Sequence, residues 1–113
     1  ATDAPLDSRN LKRLAKRALL GIVRTGGYYS GSSGDYAIAF STAKEVRIPN
    51  RLASPTQTVT LLRNESMSSL FLAAAEAAEE AILNSLFKAQ RMEGKNGHAV
   101  EALPLDKIKE LIK

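Results

Sequence analysis

The sequence contains no cysteine and one histidine, His98, among its 113 residues. The absence of cysteine excludes disulfide bonds, thiolate zinc sites and a cysteine nucleophile, and it leaves the redox compartment undetermined. A metal site would have to consist mostly of carboxylates, and no group of carboxylates has a suitable spacing. The sequence therefore implies no metal, and it implies no organic cofactor.

Long uninterrupted apolar runs are also lacking. The longest apolar-rich stretch, LFLAAAEAAEEAILNSLF, carries three glutamates, which excludes a membrane-spanning helix and predicts no membrane partner. The chain begins ATDAPL, without an initiator methionine or a signal-peptide pattern, so we expect a fragment, a processed product or a trimmed chain. We expect a cytoplasmic location, with the periplasm as the alternative.

The residues that are present are typical of one soluble domain with a modest core, since 44% of them are apolar. The first helical pattern follows Asp7 or Ser8 as the N-cap and ends at Gly26 and Gly27. A second helix of about eight turns is predicted from Asn64 as the N-cap to Gly94. A short amphipathic helix is predicted to begin near Pro104 and to close the chain.

Two strands are predicted between the helices. DYAIAFST (residues 35–42) alternates bulky and small residues, and TQTVTLL (residues 56–62) is rich in β-branched residues. The intervening loop contains two prolines, with a short edge strand at KEVRI as an option. Because two strands do not make a stable sheet with this much helix, the chain is expected to complete an α/β fold whose other strands lie elsewhere.

The first helix carries a basic face, and the whole chain has a formal net charge of +4. This face favours a nucleic-acid partner only weakly, because no helix-turn-helix, aromatic or glycine-rich RNA-binding pattern accompanies it. A solvated helix face is the better interpretation. His98 is interpreted as a loop histidine bonded to backbone, and the three glutamates of the long helix as exposed or helix-pairing charges.

The stretch GSSGDYAIAFST (residues 31–42) places polar groups directly before a predicted strand. Ser33 and Asp35 are two positions apart, so in an extended chain their side chains would point the same way, and Gly34 would let another backbone approach between them. A serine hydroxyl beside a carboxylate can relay or orient a proton. Turn and cap chemistry explains such a triplet as well, so the residues alone leave both interpretations open.

Several segments together resemble the small subunit of the L-aminopeptidase/D-esterase family. They are, in chain order, ATDAPL, LKRLAKRALLGIVRTGG, SGDYAIAFSTA, NESMSSLFLAAAEAAEEAILNSLFKA and MEGKNGHAVEALP. The resemblance covers nearly the whole chain. It implies that residues 1–113 are the C-terminal part of a single self-processing aminopeptidase domain, an incomplete piece of an α/β/β/α sandwich that ornithine acetyltransferases share.

The resemblance also implies a chemistry. A precursor cuts itself before a serine, and that serine then heads the small subunit as the nucleophile, on a strand running into ATDAPL. In this sequence the family's second active-site serine falls on Ser33 and its acidic residue on Asp35. Ser33 is expected to hydrogen-bond the nucleophile, and Asp35 to hold Ser33 and the amino group of the substrate. The oxyanion-hole donor belongs to the large subunit.

The implied partners are the large (α) subunit of the same precursor, a peptide, amide or ester substrate, and further copies in a tetramer of processed protomers. An acyltransferase of the ornithine acetyltransferase type is the alternative within the same fold, distinguished by a threonine nucleophile. A nucleic-acid-binding module using the basic helix is the alternative from another class. This chain without its nucleophile is expected to be inactive.

Overall fold

The computed structural model describes residues 1–32, 34–51 and 54–112. The first helix, α1, spans Ser8–Arg24, and the carboxylate of Asp7 caps it by accepting a hydrogen bond of 2.8 Å from a first-turn N–H. At its other end Gly26 has a φ of 98°, a left-handed conformation that favours glycine. The Gly27 N–H then donates to the Ile22 carbonyl at 3.0 Å. The predicted start and stop of this helix are confirmed.

The second helix, α2, spans Met67–Phe87 and packs against α1. The two backbones come closest at Gly21, where a Cβ would lie 2.6 Å from the Cβ of Ala78 and 2.7 Å from both the Ala75 carbonyl oxygen and the Glu79 nitrogen. Only a residue without a side chain permits this approach. Gly21 therefore sets the distance between the two helices.

The predicted α2 was too long at both ends. Asn64 does not cap it, because the Oδ1 atom of Asn64 accepts hydrogen bonds of 3.2 Å from both Arg9 and Arg13 of α1. A 3-10 turn, Asn64–Ser66, precedes the helix instead. The helix also ends seven residues before Gly94.

The early end of α2 is explained by a hairpin in the following segment. Strands β1 (Met92–Glu93) and β2 (Ala99–Val100) pair antiparallel and form the one sheet found in the described residues. A 3-10 turn, Lys95–Gly97, joins them, and the Gly94 N–H donates to the His98 carbonyl at 2.7 Å. Gly94 thus belongs to the hairpin and not to the helix terminus. The last helix, α3, spans Leu105–Leu111 and begins after Pro104, as predicted.

The two predicted strands are not formed within the described chain. Residues 35–42 and 56–62 have no ladder partner apart from one parallel bridge between Thr2 and Ser41. A strand is defined by hydrogen bonds to a neighbour, so these β-patterned segments stay irregular where the neighbour is absent. The suggested edge strand at KEVRI is also wrong, since Lys44–Val46 forms a 3-10 turn.

The chain's first residues run between these two segments. The Thr2 N–H donates to the Phe40 carbonyl at 3.1 Å, and the Thr42 N–H donates to the Thr2 carbonyl at 2.8 Å. On the other side, the Leu62 N–H donates to the Pro5 carbonyl at 2.9 Å. Residues 2–5 therefore connect the backbones of both β-patterned segments.

The core lies where this N-terminal segment meets the helix pair. Leu6, Leu14 and Met67 form a buried cluster, covered by partly buried side chains of α1, α2 and Leu62. The mixture of helices with a small sheet is consistent with part of an α/β fold. In the part of the chain that is described, no helix has the length and apolar character needed to cross a membrane.

Candidate functional site

Asp35 lies on the surface, in irregular backbone directly after Gly34. Ser33, the other residue predicted for the site, lies outside the described residues. Apart from its two chain neighbours, the one described residue within 4 Å of a Cβ added at Gly34 is Tyr36, whose ring lies 3.9 Å away. As far as the described residues go, the space beside Gly34 is open, which suits the predicted approach of another backbone.

The residues after Asp35 expose an unusual amount of apolar surface. Tyr36 is 96% exposed and Ile38 is 89% exposed, and Phe40 is more than half exposed. Large apolar residues that recur at every second position on one side are typical of a strand face that another layer covers. The bulky side chains of the predicted alternation are thus exposed, and no described layer covers them.

An apolar groove leads along this segment. Its cavity has a volume of about 430 Å³ and lies between the two β-patterned segments, with α1 at its base. The lining residues include Leu11 of α1, Ala39 and Phe40 on one side, and Val59 and Leu61 on the other. The groove has the position that a central strand would take between two neighbours.

Thr2 pairs with residues 40–42, and two of these, Phe40 and Ser41, line the groove. Its N–H and its carbonyl bond to residues on either side of Ser41, which is the hydrogen-bond pattern of a parallel strand pair. Ser41 strengthens the junction, because its hydroxyl donates to the Ala4 carbonyl at 2.6 Å and accepts from the Ala43 N–H at 3.1 Å. Sequence reasoning did not single out Ser41, and its only signal was its place at the end of the alternating pattern.

The other candidate side chains do not join this site. His98 lies in the turn of the hairpin, where its backbone bonds to Gly94 and Lys95. Glu79 forms an ion pair of 3.2 Å with Arg24, in agreement with the predicted helix-pairing role. Among the described residues no three His, Asp or Glu side chains are grouped so that they could hold a metal ion.

The basic face of α1 is only partly solvated. The guanidinium groups of Arg13 and Arg17 lie 4.9 Å and 4.5 Å from the centroid of the Phe71 ring, so both stack on α2 by cation–π contact. Lys12 and Lys16 remain exposed. Two of the predicted surface cations therefore contribute to packing between the helices.

Two solved structures show which class of protein has this arrangement. A protein from Pyrococcus horikoshii OT3 is 46% identical and superposes with a TM-score of 0.85, over 96% of this chain and 30% of that one. The L-aminopeptidase D-Ala-esterase/amidase of Ochrobactrum anthropi is 35% identical with a TM-score of 0.85, over 97% of this chain and 31% of its own. The latter is described as a prototype for the serine aminopeptidases and a new variant of the Ntn hydrolase fold.

The chain belongs to peptidase family S58, whose profile matches residues 1–100. It is also 39% identical to the β-peptidyl aminopeptidase of Sphingosinicella microcystinivorans, over the whole of this chain and 28% of that enzyme. The resemblance to the L-aminopeptidase/D-esterase family is thereby confirmed. The chain spans less than a third of the length of these relatives.

Proposed function

We propose that this chain is the small-subunit part of a self-processing serine aminopeptidase, which removes N-terminal residues from peptides, amides or esters. The observation that carries the proposal is the parallel pairing of Thr2 with Ser41, a residue that lines the apolar groove. Continued upstream, this pairing would lead any residues that precede Ala1 along residues 40 to 35, toward Asp35.

The register of the pair gives the position of the proposed nucleophile. Thr2 lies opposite Ser41, and parallel strands advance together, so each step upstream of Thr2 corresponds to one step from Ser41 toward Asp35. Continued without a bulge, this register sets Gly34 opposite a residue about six positions before Ala1. A serine at that position would lie beside the open face of Gly34, which is the residue between Ser33 and Asp35 in the sequence.

The proposed reaction proceeds by acyl transfer to this serine. Its hydroxyl oxygen attacks the carbonyl carbon of the substrate, the proton passes to the serine's own α-amino group, and the amine or alcohol leaves with a proton. Water then attacks the acyl-enzyme ester and releases the acid and the free serine. Asp35 holds the substrate's ammonium group and orients Ser33, because charge-assisted hydrogen bonds are short and strong.

The proposal includes the rest of the sandwich. The large subunit of the same precursor supplies the layer that covers Tyr36, Ile38 and Phe40, which are exposed here. It also supplies the oxyanion-hole donor. A complete protomer of this kind would associate into a tetramer, and no metal or organic cofactor enters the reaction.

Substitution of Asp35 in the complete protein tests this function. With an aminoacyl p-nitroanilide as substrate, Asp35→Asn should lower kcat/KM by about 10- to 100-fold, since a hydrogen bond to a charged group contributes about 1.5–3 kcal/mol. Ser33→Ala should lower it as well. Asp106→Asn is the matched control, because this carboxylate is 98% exposed on α3 and should leave turnover unchanged. Unchanged kcat/KM in both Asp35→Asn and Ser33→Ala would refute the assigned roles.

A further inference from the structure

Tyr29 has an unusual backbone conformation directly upstream of the candidate site. Its φ is 55°, in the left-handed region that a tyrosine rarely adopts. Its hydroxyl donates a hydrogen bond of 2.9 Å to the carbonyl of Leu19 in α1. A strained residue of this kind persists where its surroundings hold it in place, and the contact with Leu19 does so here.

The hydrogen bond fixes where the chain passes after α1. The Gly27 N–H bonds back to the Ile22 carbonyl, so the chain reverses direction at the helix end. Tyr29 then reaches Leu19, which lies further back along the helix. The segment that leads to Asp35 is thus attached to α1 at Tyr29.

After Asp35 the chain passes the same helix again, across a cavity. Ala37 and Ala39 share a cavity wall with Leu11 and Ala15 of α1. The chain therefore runs back along the helix from the level of Leu19 to that of Ala15, a distance of about 6 Å along the helix axis. Asp35 lies in the sequence between the Tyr29 attachment and this passage along α1.

We propose that Tyr29 is a positioning residue, which sets the location of Asp35 through the hydroxyl bond to Leu19. The inference rests on the proposed function, because it concerns the carboxylate that would bind the substrate's amino group. Tyr29 does not touch the reacting atoms. Its effect on turnover passes through the segment that carries Asp35.

A double-mutant cycle in the complete protein tests the inference. Tyr29→Phe keeps the ring and removes only the hydroxyl, and we expect kcat/KM to fall by about fivefold, as for the loss of one typical hydrogen bond. In an Asp35→Asn background the same substitution should have almost no further effect, because the group that it positions is already lost. Tyr28→Phe is the matched control, since this side chain is 83% exposed, and kcat/KM should not change.

The outcomes are distinguishable. If Tyr29→Phe leaves kcat/KM unchanged, the inference is overturned. An equal fold-loss in both backgrounds would also overturn it, since a general effect on folding would not depend on Asp35. If the unmodified protein shows no aminopeptidase activity, the proposed function itself fails, and the inference fails with it.

Discussion

Gly34 and Asp35 combine two properties that an active-site loop requires, namely an exposed carboxylate and open space beside it. The space is beside Gly34, because a Cβ at Gly34 would lie no nearer than 3.9 Å to any described residue other than its chain neighbours. Glycine is therefore not needed here for contacts within the chain. The lack of a side chain at Gly34 matters only if another backbone passes beside this residue.

This reasoning predicts a selective effect for Gly34→Ala in the complete protein. The added methyl group should displace the proposed nucleophile strand and lower kcat/KM by about tenfold or more, because displacements of about 1 Å at a reacting centre are costly. Gly31→Ala is the control, since nothing lies within 4 Å of its Cβ position. Steady-state kinetics of both variants provide the comparison. Full activity in Gly34→Ala would show that no chain passes there.

The candidate site could be predicted from the sequence only as a local pattern, and the roles of Ser33 and Asp35 stay predictions. Asp35 follows a glycine and precedes an alternating segment, and both features are visible in GSSGDYAIAFST. The structure places Asp35 at the start of the exposed segment, while Ser33 lies outside the described residues. The anchors Tyr29 and Ser41 were not predictable, because each depends on a carbonyl that only the folded chain brings near, that of Leu19 and that of Ala4.

The helix pair is the best-packed element of the molecule, and its geometry depends on the crossing at Gly21. The atoms that face Gly21 include the backbone of α2, at 2.7 Å from the Cβ position, which cannot rotate away as a flexible side chain could. The ion pair between Arg24 and Glu79 beside the crossing is substantially solvated. It should contribute less than about 1 kcal/mol, so close packing is the main source of stability.

Gly21→Ala should therefore destabilise the complete protein. In a helix, alanine is more favourable than glycine by about 1 kcal/mol. An overpacked contact costs about 1–3 kcal/mol or more. Because the backbone of α2 is rigid, the cost of overpacking should exceed the gain in helix propensity. We expect a lower free energy of unfolding in a urea titration. Gly31→Ala should be close to neutral in the same assay. A more stable Gly21→Ala variant would contradict the observed helix separation.

Elements that depend on local chemistry were predicted well, and those that depend on distant partners were not. The start of α1 follows from Asp7 and its end from Gly26 and Gly27, all within a few residues of the helix. The predicted start of α2 failed because Asn64 bonds to arginines that lie far from it in sequence. The predicted strands failed because the described residues supply no ladder partner for these two segments apart from the bridge between Thr2 and Ser41.

The whole molecule is far more extended than a folded domain of its length. Its radius of gyration is 19.6 Å, whereas a compact chain of this size has about 13 Å. Only five apolar side chains are buried among the described residues. Burial on this scale does not offset the conformational entropy of ordering the chain, so we expect its structure to depend on surfaces supplied from elsewhere.

The isolated polypeptide 1–113 should consequently lack a cooperative fold. We expect a gradual loss of helical circular dichroism on heating and rapid amide hydrogen exchange in α1 and α2. The complete protein should show a sharp transition and protected helices, because the proposed large subunit would cover the apolar faces. A cooperative thermal transition of the isolated chain would show that it is an independent domain.

The proposed self-processing of a precursor at a serine upstream of Ala1 is tested most directly by intact-mass measurement of the purified complete protein. We expect two polypeptides, the smaller of which begins with a serine about six residues before Ala1, as the register of Thr2 and Ser41 requires. One uncut polypeptide with full aminopeptidase activity would contradict it. A small chain that begins at a residue other than serine, or far from that position, would contradict it equally.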